Sequence, residues 1–263
     1  GVPCVTTQIP YRSPSDLLAC SRAGDGSTRK LPIGVFDLFK IGIGPSSSHT
    51  IGPMKAAATF VRGLNQGRER DIARLEATIF GSLAWTGKGH ATDKALVLGL
   101  SGKTPDRIDP DEATEVFQQI RNDRTIRLPS GRCISFDFDS DIVFDTKREF
   151  ERHPNAMEFK ALDANNDVVA AEIWFSVGGG FIERLGDDNR CDGPQYPEGF
   201  NFLSANDLLD LCRIHSCTIA DLAMANEIAR HGETRTFEAI DEIVDVMMKC
   251  IDRGLEQKGE LPG

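Results

Sequence analysis

"MEFKALDANNDVVAAEIWFSVGGGF", residues 157–181, decides the fold class. Residues 157–162 and 168–175 are strand-like runs on either side of "DANND", a polar turn cluster, so the stretch reads as a β-hairpin. Its second strand empties into the glycine run "SVGGGF". Between residues 124 and 176 the hydrophobic period is two, with Ile134, Phe136 and Phe138 alternating as a further strand. Upstream, "RLEATIF" at 74–80 alternates Leu75, Ala77 and Ile79 with Arg74, Glu76 and Thr78, the pattern of a half-buried strand. It runs into the glycine loop "GSLAWTGKGHATDKA" and then an apolar helix near Ala95 to Leu100.

Helices surround these strands. Pro53 suits a first helical turn, and Met54, Ala57, Ala58, Val61 and Leu64 follow at helical spacing. Asp109 and Pro110 cap a helix whose apolar face is Ala113, Val116, Phe117 and Ile120. The last third is helical: "SAND" (204–207) and "TIAD" (218–221) resemble capping boxes with Asp at the fourth position. Phe237, Ile240, Ile243, Val244, Met247, Met248 and Ile251 form one stripe ending near Gly254, the pattern of a core-facing helix. The expected fold is α+β, an antiparallel-rich or mixed sheet packed with helices and followed by a helical segment. The expected boundaries are a flexible leader at 1–31, an α+β domain at 32–203 and the helical segment at 204–263.

The chain has 263 residues, 40% of them hydrophobic, enough for a substantial buried core. Its net charge of -10 argues against general affinity for nucleic acid or an anionic membrane surface. Nothing approaches 18 consecutive apolar residues. Seven scattered cysteines without framework spacing read as reduced thiols, which favours the cytoplasm. Cys212, His215 and Cys217 lack a fourth partner for a structural zinc, so no metal site is expected there. The first residue is Gly rather than Met, which suggests a fragment or processed chain, and an organelle transit peptide is the alternative reading of the leader.

Three loops offer small residues, backbone amides and polar side chains. They are Ser46-Ser47-Ser48-His49-Thr50, Thr86-Gly87-Lys88-Gly89-His90 and Ser176-Val177-Gly178-Gly179-Gly180. That chemistry binds a compact carboxylate, and the histidines titrate near neutrality. Taken singly, each loop is as well explained by helix capping and turn formation. Three in one chain point to a site. Two nucleotide-binding motifs fail: "GIGPSS" has Ser47 where a dinucleotide fingerprint needs its third glycine, and "GSLAWTGKGH" breaks the P-loop spacing.

"FDLFKIGIGPSSSHTIGPMKAA", "GSLAWTGKGHATDKALVLGLSG", "SVGGGF" and "CIDRGLEQKGELPG" closely resemble the N-terminal part of the iron-sulfur L-serine dehydratases, from about residue 35 to the end. The resemblance implies conversion of L-serine to pyruvate and ammonia with an oxygen-sensitive [4Fe-4S] cluster. This chain corresponds to the beta-type domain, and the cluster belongs to an alpha-type domain on the same or a separate chain, beginning where this sequence stops. It further implies His49, His90 and Ser176 as catalytic residues. Ser46, Ser47, Ser48, Thr50, Lys88 and the amides of Gly178, Gly179 and Gly180 are implied as substrate-binding groups. His153 in "HPNAMEF" also matches a family loop and ranks lower, because a turn explains it as well. Trp85 and Ala91 stand where other members often carry an aliphatic residue and a second histidine. None of the seven cysteines lies in a cluster-binding motif, so the chain is expected to hold no metal itself. A homodimer is expected. The beta-type domain is also similar to the allosteric substrate-binding domain of phosphoglycerate dehydrogenases, which leaves a non-catalytic amino-acid-binding module as the alternative.

Overall fold

The structure is a computed structural model that describes residues 13–21, 29–64, 71–187, 195–196 and 198–258. The chain divides into two compact units, one of residues 1–39 with 189–258 and one of residues 40–188 with 259–263. The first unit opens with α1 (Pro14–Ser21), β1 (Arg29–Lys30) and α2 (Val35–Leu38).

The second unit contains α3 (Gly52–Leu64), β2 (Arg74–Phe80), α4 (Gly81–Thr86), α5 (Thr92–Leu100), α6 (Pro110–Asp123), β3 (Thr125–Arg127), β4 (Cys133–Ser135), α7 (Phe138–Asp141), β5 (Ile142–Asp145), β6 (Ala156–Leu162), β7 (Val168–Gly178) and β8 (Phe181–Arg184). Seven strands form one sheet in the order β3-β4-β2-β6-β7-β8, with β5 paired to β2 as well. β4 and β5 run parallel to β2, and the remaining pairs are antiparallel. The sheet is therefore mixed and antiparallel-rich.

Register follows from the alternation in the sequence. Leu75 faces Ala161, Ala77 faces Phe159 and Ile79 faces Met157, while Glu76 faces Lys160 and Thr78 faces Glu158. Directly opposite residues share a face, so one face is wholly apolar and the other carries charge pairs. The apolar face packs under α3, where Phe60 stacks on Phe159 with ring centroids 5.5 Å apart. Both rings are fully buried, and truncating either to alanine removes about 3–5 kcal/mol.

Three local expectations change. The alternation of Ile134 and Phe136 does not extend to Phe138, which begins α7, because the Asp137 carboxylate caps that turn by accepting from the Asp139 amide at 3.1 Å. "GSLAWTGKGH" is a helix and a 3₁₀ turn, Lys88–His90, in place of an open loop. The glycine run at the end of β7 makes a hairpin turn into β8, a strand the periodicity did not reveal.

The first unit resumes with β9 (Gln195–Tyr196), antiparallel to β1, then α8 (Ala205–His215), α9 (Ile219–His231) and α10 (Glu233–Glu256). Both capping boxes form: Ser204 with Asp207, and Thr218 with Asp221. Part of the predicted leader is folded, since Leu17 and Leu18 of α1 are buried against Leu222, Ala225 and Ile228 of α9. Residues 1–12 and 22–28 of that leader, with Cys4, lie outside the described residues, as does Cys191. The buried Glu227 carboxylate accepts from the Val35 amide at 2.8 Å and from Arg230 at 2.7 Å, which fastens the start of α2 to α9. The α10 stripe is not a core. Only Thr236 of that helix is buried.

Candidate active site

Proline dictates the geometry of the serine-rich turn. Pro53 has no N–H to give the His49 carbonyl four residues earlier. Residues Ser47–Ile51 widen into a π turn that runs directly into α3, with Ser46 as its N-cap accepting from the His49 amide at 3.2 Å. The Gly52 amide reaches back to the Ser47 carbonyl, so the Ser48 carbonyl is also left over. Side chains from elsewhere satisfy both leftover acceptors. Thr92 donates to the His49 carbonyl at 2.6 Å, and Ser176 donates to the Ser48 carbonyl at 2.7 Å. Gly52 is obligatory here, because a Cβ at that position would stand 2.0 Å from the Ser176 hydroxyl.

The widened turn delivers His49 to a cluster. Its Nδ1 is 2.9 Å from the Ser48 hydroxyl and its Nε2 is 3.4 Å from the Ser82 hydroxyl. The His90 ring stands beside it, centroid to centroid 4.9 Å at an interplanar angle of 41°. Burial, and then the neighbouring His90, hold His49 below its ordinary value of 6.5, so the neutral imidazole is favoured. His90 is held differently. Its Nδ1 donates to the Thr86 carbonyl at 2.9 Å, which assigns the proton to Nδ1 and leaves Nε2 as an acceptor. The Thr50 hydroxyl donates to the His90 carbonyl at 2.9 Å, which binds the two turns together.

The third histidine loop closes on the same place. Pro154 accepts at its carbonyl from the Ser82 amide at 3.0 Å. It presses so close to Gly81, at φ +54°, that a Cβ there would lie 2.3 Å from the Pro154 oxygen. His153 Nδ1 accepts from the Asn155 amide at 3.1 Å, and Asn155 Nδ2 donates to the Ser176 carbonyl at 3.2 Å. Asn155 Oδ1 is buried and has no hydrogen-bond partner among the described residues.

The sequence-predicted residues therefore separate. Ser46, Ser48, His49, Thr50, His90 and Ser176 form one hydrogen-bonded network. Within it Thr50 and the fully buried Ser176 commit their hydroxyl protons to backbone carbonyls. Ser47 is exposed at the head of the turn. Gly178, Gly179 and Gly180 are all at positive φ; Gly178 ends β7 and Gly179 and Gly180 make the turn into β8, with Gly180 against the Ile51 side chain. The Lys88 ammonium lies 5.2 Å over the Phe144 ring, a cation–π contact that holds it on β5. Sequence reading missed Ser82, Thr92 and Asn155. Thr92 had a signal: a proline four residues after His49 demands an outside donor for that carbonyl.

Residues 34–187 match the family described as serine dehydratase beta chain. The chain belongs to that family. It is 38% identical over 240 residues to the L-serine dehydratase of Streptomyces coelicolor, covering 89% of this chain and 52% of that protein. Escherichia coli L-serine dehydratase 1 is 38% identical over 238 residues, 88% of this chain and 51% of that protein. The Mycobacterium bovis L-serine dehydratase is 37% identical over 241 residues, 89% and 50% respectively. The chain spans about half the length of these relatives.

The donor set among the described residues does not fit an iron-sulfur cluster. Among the described residues no three His, Cys, Asp or Glu side chains converge to hold a metal, and Cys20, Cys133, Cys212, Cys217 and Cys250 form no disulfide. Among the described residues no helix is long and apolar enough to cross a membrane.

Proposed function

We propose that this chain is the part of an L-serine dehydratase, a lyase releasing pyruvate and ammonia, that holds the substrate and moves its proton. The observation that carries the reading is the His49–His90 pair, two imidazoles 4.9 Å apart on turns locked to each other by Thr50 and Thr92.

Each group then has a task suited to its surroundings. The exposed Ser47 hydroxyl, the Ser48 hydroxyl and the amides of Gly178–Gly180 receive the carboxylate, with Lys88 supplying positive charge at the rim. Ser46, Thr50, Thr92 and Ser176 are the frame that holds those groups in register. His90 Nε2, with no hydrogen-bond partner among the described residues, accepts the α-proton. His49, neutral and flanked by two hydroxyls, relays a proton and orients the substrate. His153, on the loop whose Pro154 carbonyl accepts from the Ser82 amide, serves as a further polar group there. The [4Fe-4S] cluster implied by the resemblance belongs to a complementary alpha-type half of the enzyme, and L-serine and that half are this chain's partners.

Titration of the isotopically labelled chain with L-serine tests the site. Amide shifts at Ser47, Ser48 and Gly178–Gly180 and ring shifts at His49 and His90 should saturate together. Shifts that saturate elsewhere, leaving both rings unmoved, contradict the assignment.

A further inference from the structure

α10 is a 24-residue helix with one side uncovered. Phe237, Val244, Met247, Met248, Ile251 and Leu255 are each between 46% and 82% exposed. Its base is held where Thr236 is buried beside the Gly232 corner and donates to the Gly232 carbonyl at 2.8 Å. An apolar face of this length is a binding surface unless something in the chain covers it.

Two observations say what sits there. In heptad terms Phe237, Val244 and Ile251 occupy one seam position and Ile240 and Met247 the other, but Ile243 and Cys250 flank the seam on one side and Met248 and Leu255 on the other. A two-stranded pairing with a second copy buries a narrow seam and leaves flanking positions wet, whereas a stripe this broad fits the interior of a multi-helix layer. The helix also carries seven acidic against three basic residues, which disfavours a second α10 alongside it. The relatives supply the occupant. They match 87–89% of this chain, more than residues 1–187 amount to, so the similarity reaches into the C-terminal helices, and the relatives are then about twice as long.

We propose that the apolar face of α10 is the seat for the remaining half of the serine dehydratase polypeptide. That half would present an apolar helical surface rimmed by basic residues. This rests on the reading that a complementary half exists, and it adds where that half docks.

Cys250, exposed on the flank of the stripe, reports on the face directly. In this chain alone, its alkylation followed by peptide mass spectrometry should be fast and independent of protein concentration. Protection that grows with concentration means a second copy covers the face and overturns the proposal. This chain is then co-expressed with the C-terminal half of the Streptomyces coelicolor relative. The two should copurify one to one with Cys250 alkylation at least about tenfold slower. The double substitution Met247→Glu, Ile251→Glu should abolish copurification and leave the chain's own circular dichroism and melting unchanged. Failure of the native chain to copurify, copurification that survives the double substitution, or loss of this chain's own fold on making it overturns the proposal. Serine turnover by the pair is scored separately. A seated but inactive pair contradicts the lyase reading and leaves the seat standing, and turnover with Cys250 unprotected does the reverse.

Discussion

The two histidine-bearing turns solve one problem in opposite ways. The His49 turn is wide, and its ring is gripped at both nitrogens by serine hydroxyls while its carbonyl is taken by Thr92. The Lys88–His90 turn is tight, and its ring is pinned through one nitrogen by the Thr86 carbonyl. A ring held by hydroxyls can exchange protons with its holders, since a hydroxyl both donates and accepts. A ring held by a carbonyl cannot, because a carbonyl only accepts. Under the proposed function the difference divides the labour: His49 would relay a proton and orient the substrate, and His90 would accept a proton at a fixed nitrogen.

The largest expected effect tests the relay half. His49→Ala in the chain paired with a complementary half should lower kcat by about 10²–10⁴, with a smaller change in KM. A change confined to KM or to cooperativity would favour the amino-acid-binding module instead.

Next in size is the frame of the wide turn. Gly52→Ala sets a methyl against Ser176 and the turn must open, at a cost of about 1–3 kcal/mol in melting experiments. A variant as stable as native would show that the wide turn tolerates Cβ at its end, contrary to the contact described. Thr92→Val, nearly isosteric, leaves the His49 carbonyl without its outside donor and should cost about 1–2 kcal/mol. It should also broaden the His49 ring resonances more than those of His90.

The smallest effect is in pH. The folded chain holds His49 below 6.5, so as pH falls the unfolded chain takes up that proton first. Stability therefore declines as pH drops through 6.5 and on toward the lower folded value, and it is fully present above 6.5. His49→Asn should flatten that part of the melting curve between about pH 8 and about pH 5. An unchanged slope would place the titration elsewhere.

The sequence made some of this legible because the causes are local. The Ser204/Asp207 and Thr218/Asp221 boxes and the Asp109 cap each operate within one turn of a helix. The β2/β6 register follows from strict alternation of apolar residues in both strands. The three small-residue loops point to a site only when taken together, and the resemblance marks His49 and His90 within them. What the sequence concealed depends on distant partners. The π turn exists because hydroxyls 43 and 128 residues away take up its spare carbonyls. The resemblance implies Ser176 as catalytic, and only the fold reveals that its hydroxyl donates to the Ser48 carbonyl. The stripe on α10 read as core because periodicity reports that a face needs covering, not what covers it.

The most direct test of the central claim concerns the ring held by a carbonyl. Anaerobic pyruvate formation from L-serine would be measured with this chain, with and without a cluster-loaded complementary half, comparing native with His90→Ala. The account predicts turnover only with the complementary half, and a loss of about 10² or more in kcat in the variant at an unchanged melting temperature. A variant that keeps full turnover in the paired enzyme would remove His90 as the proton acceptor and contradict the account.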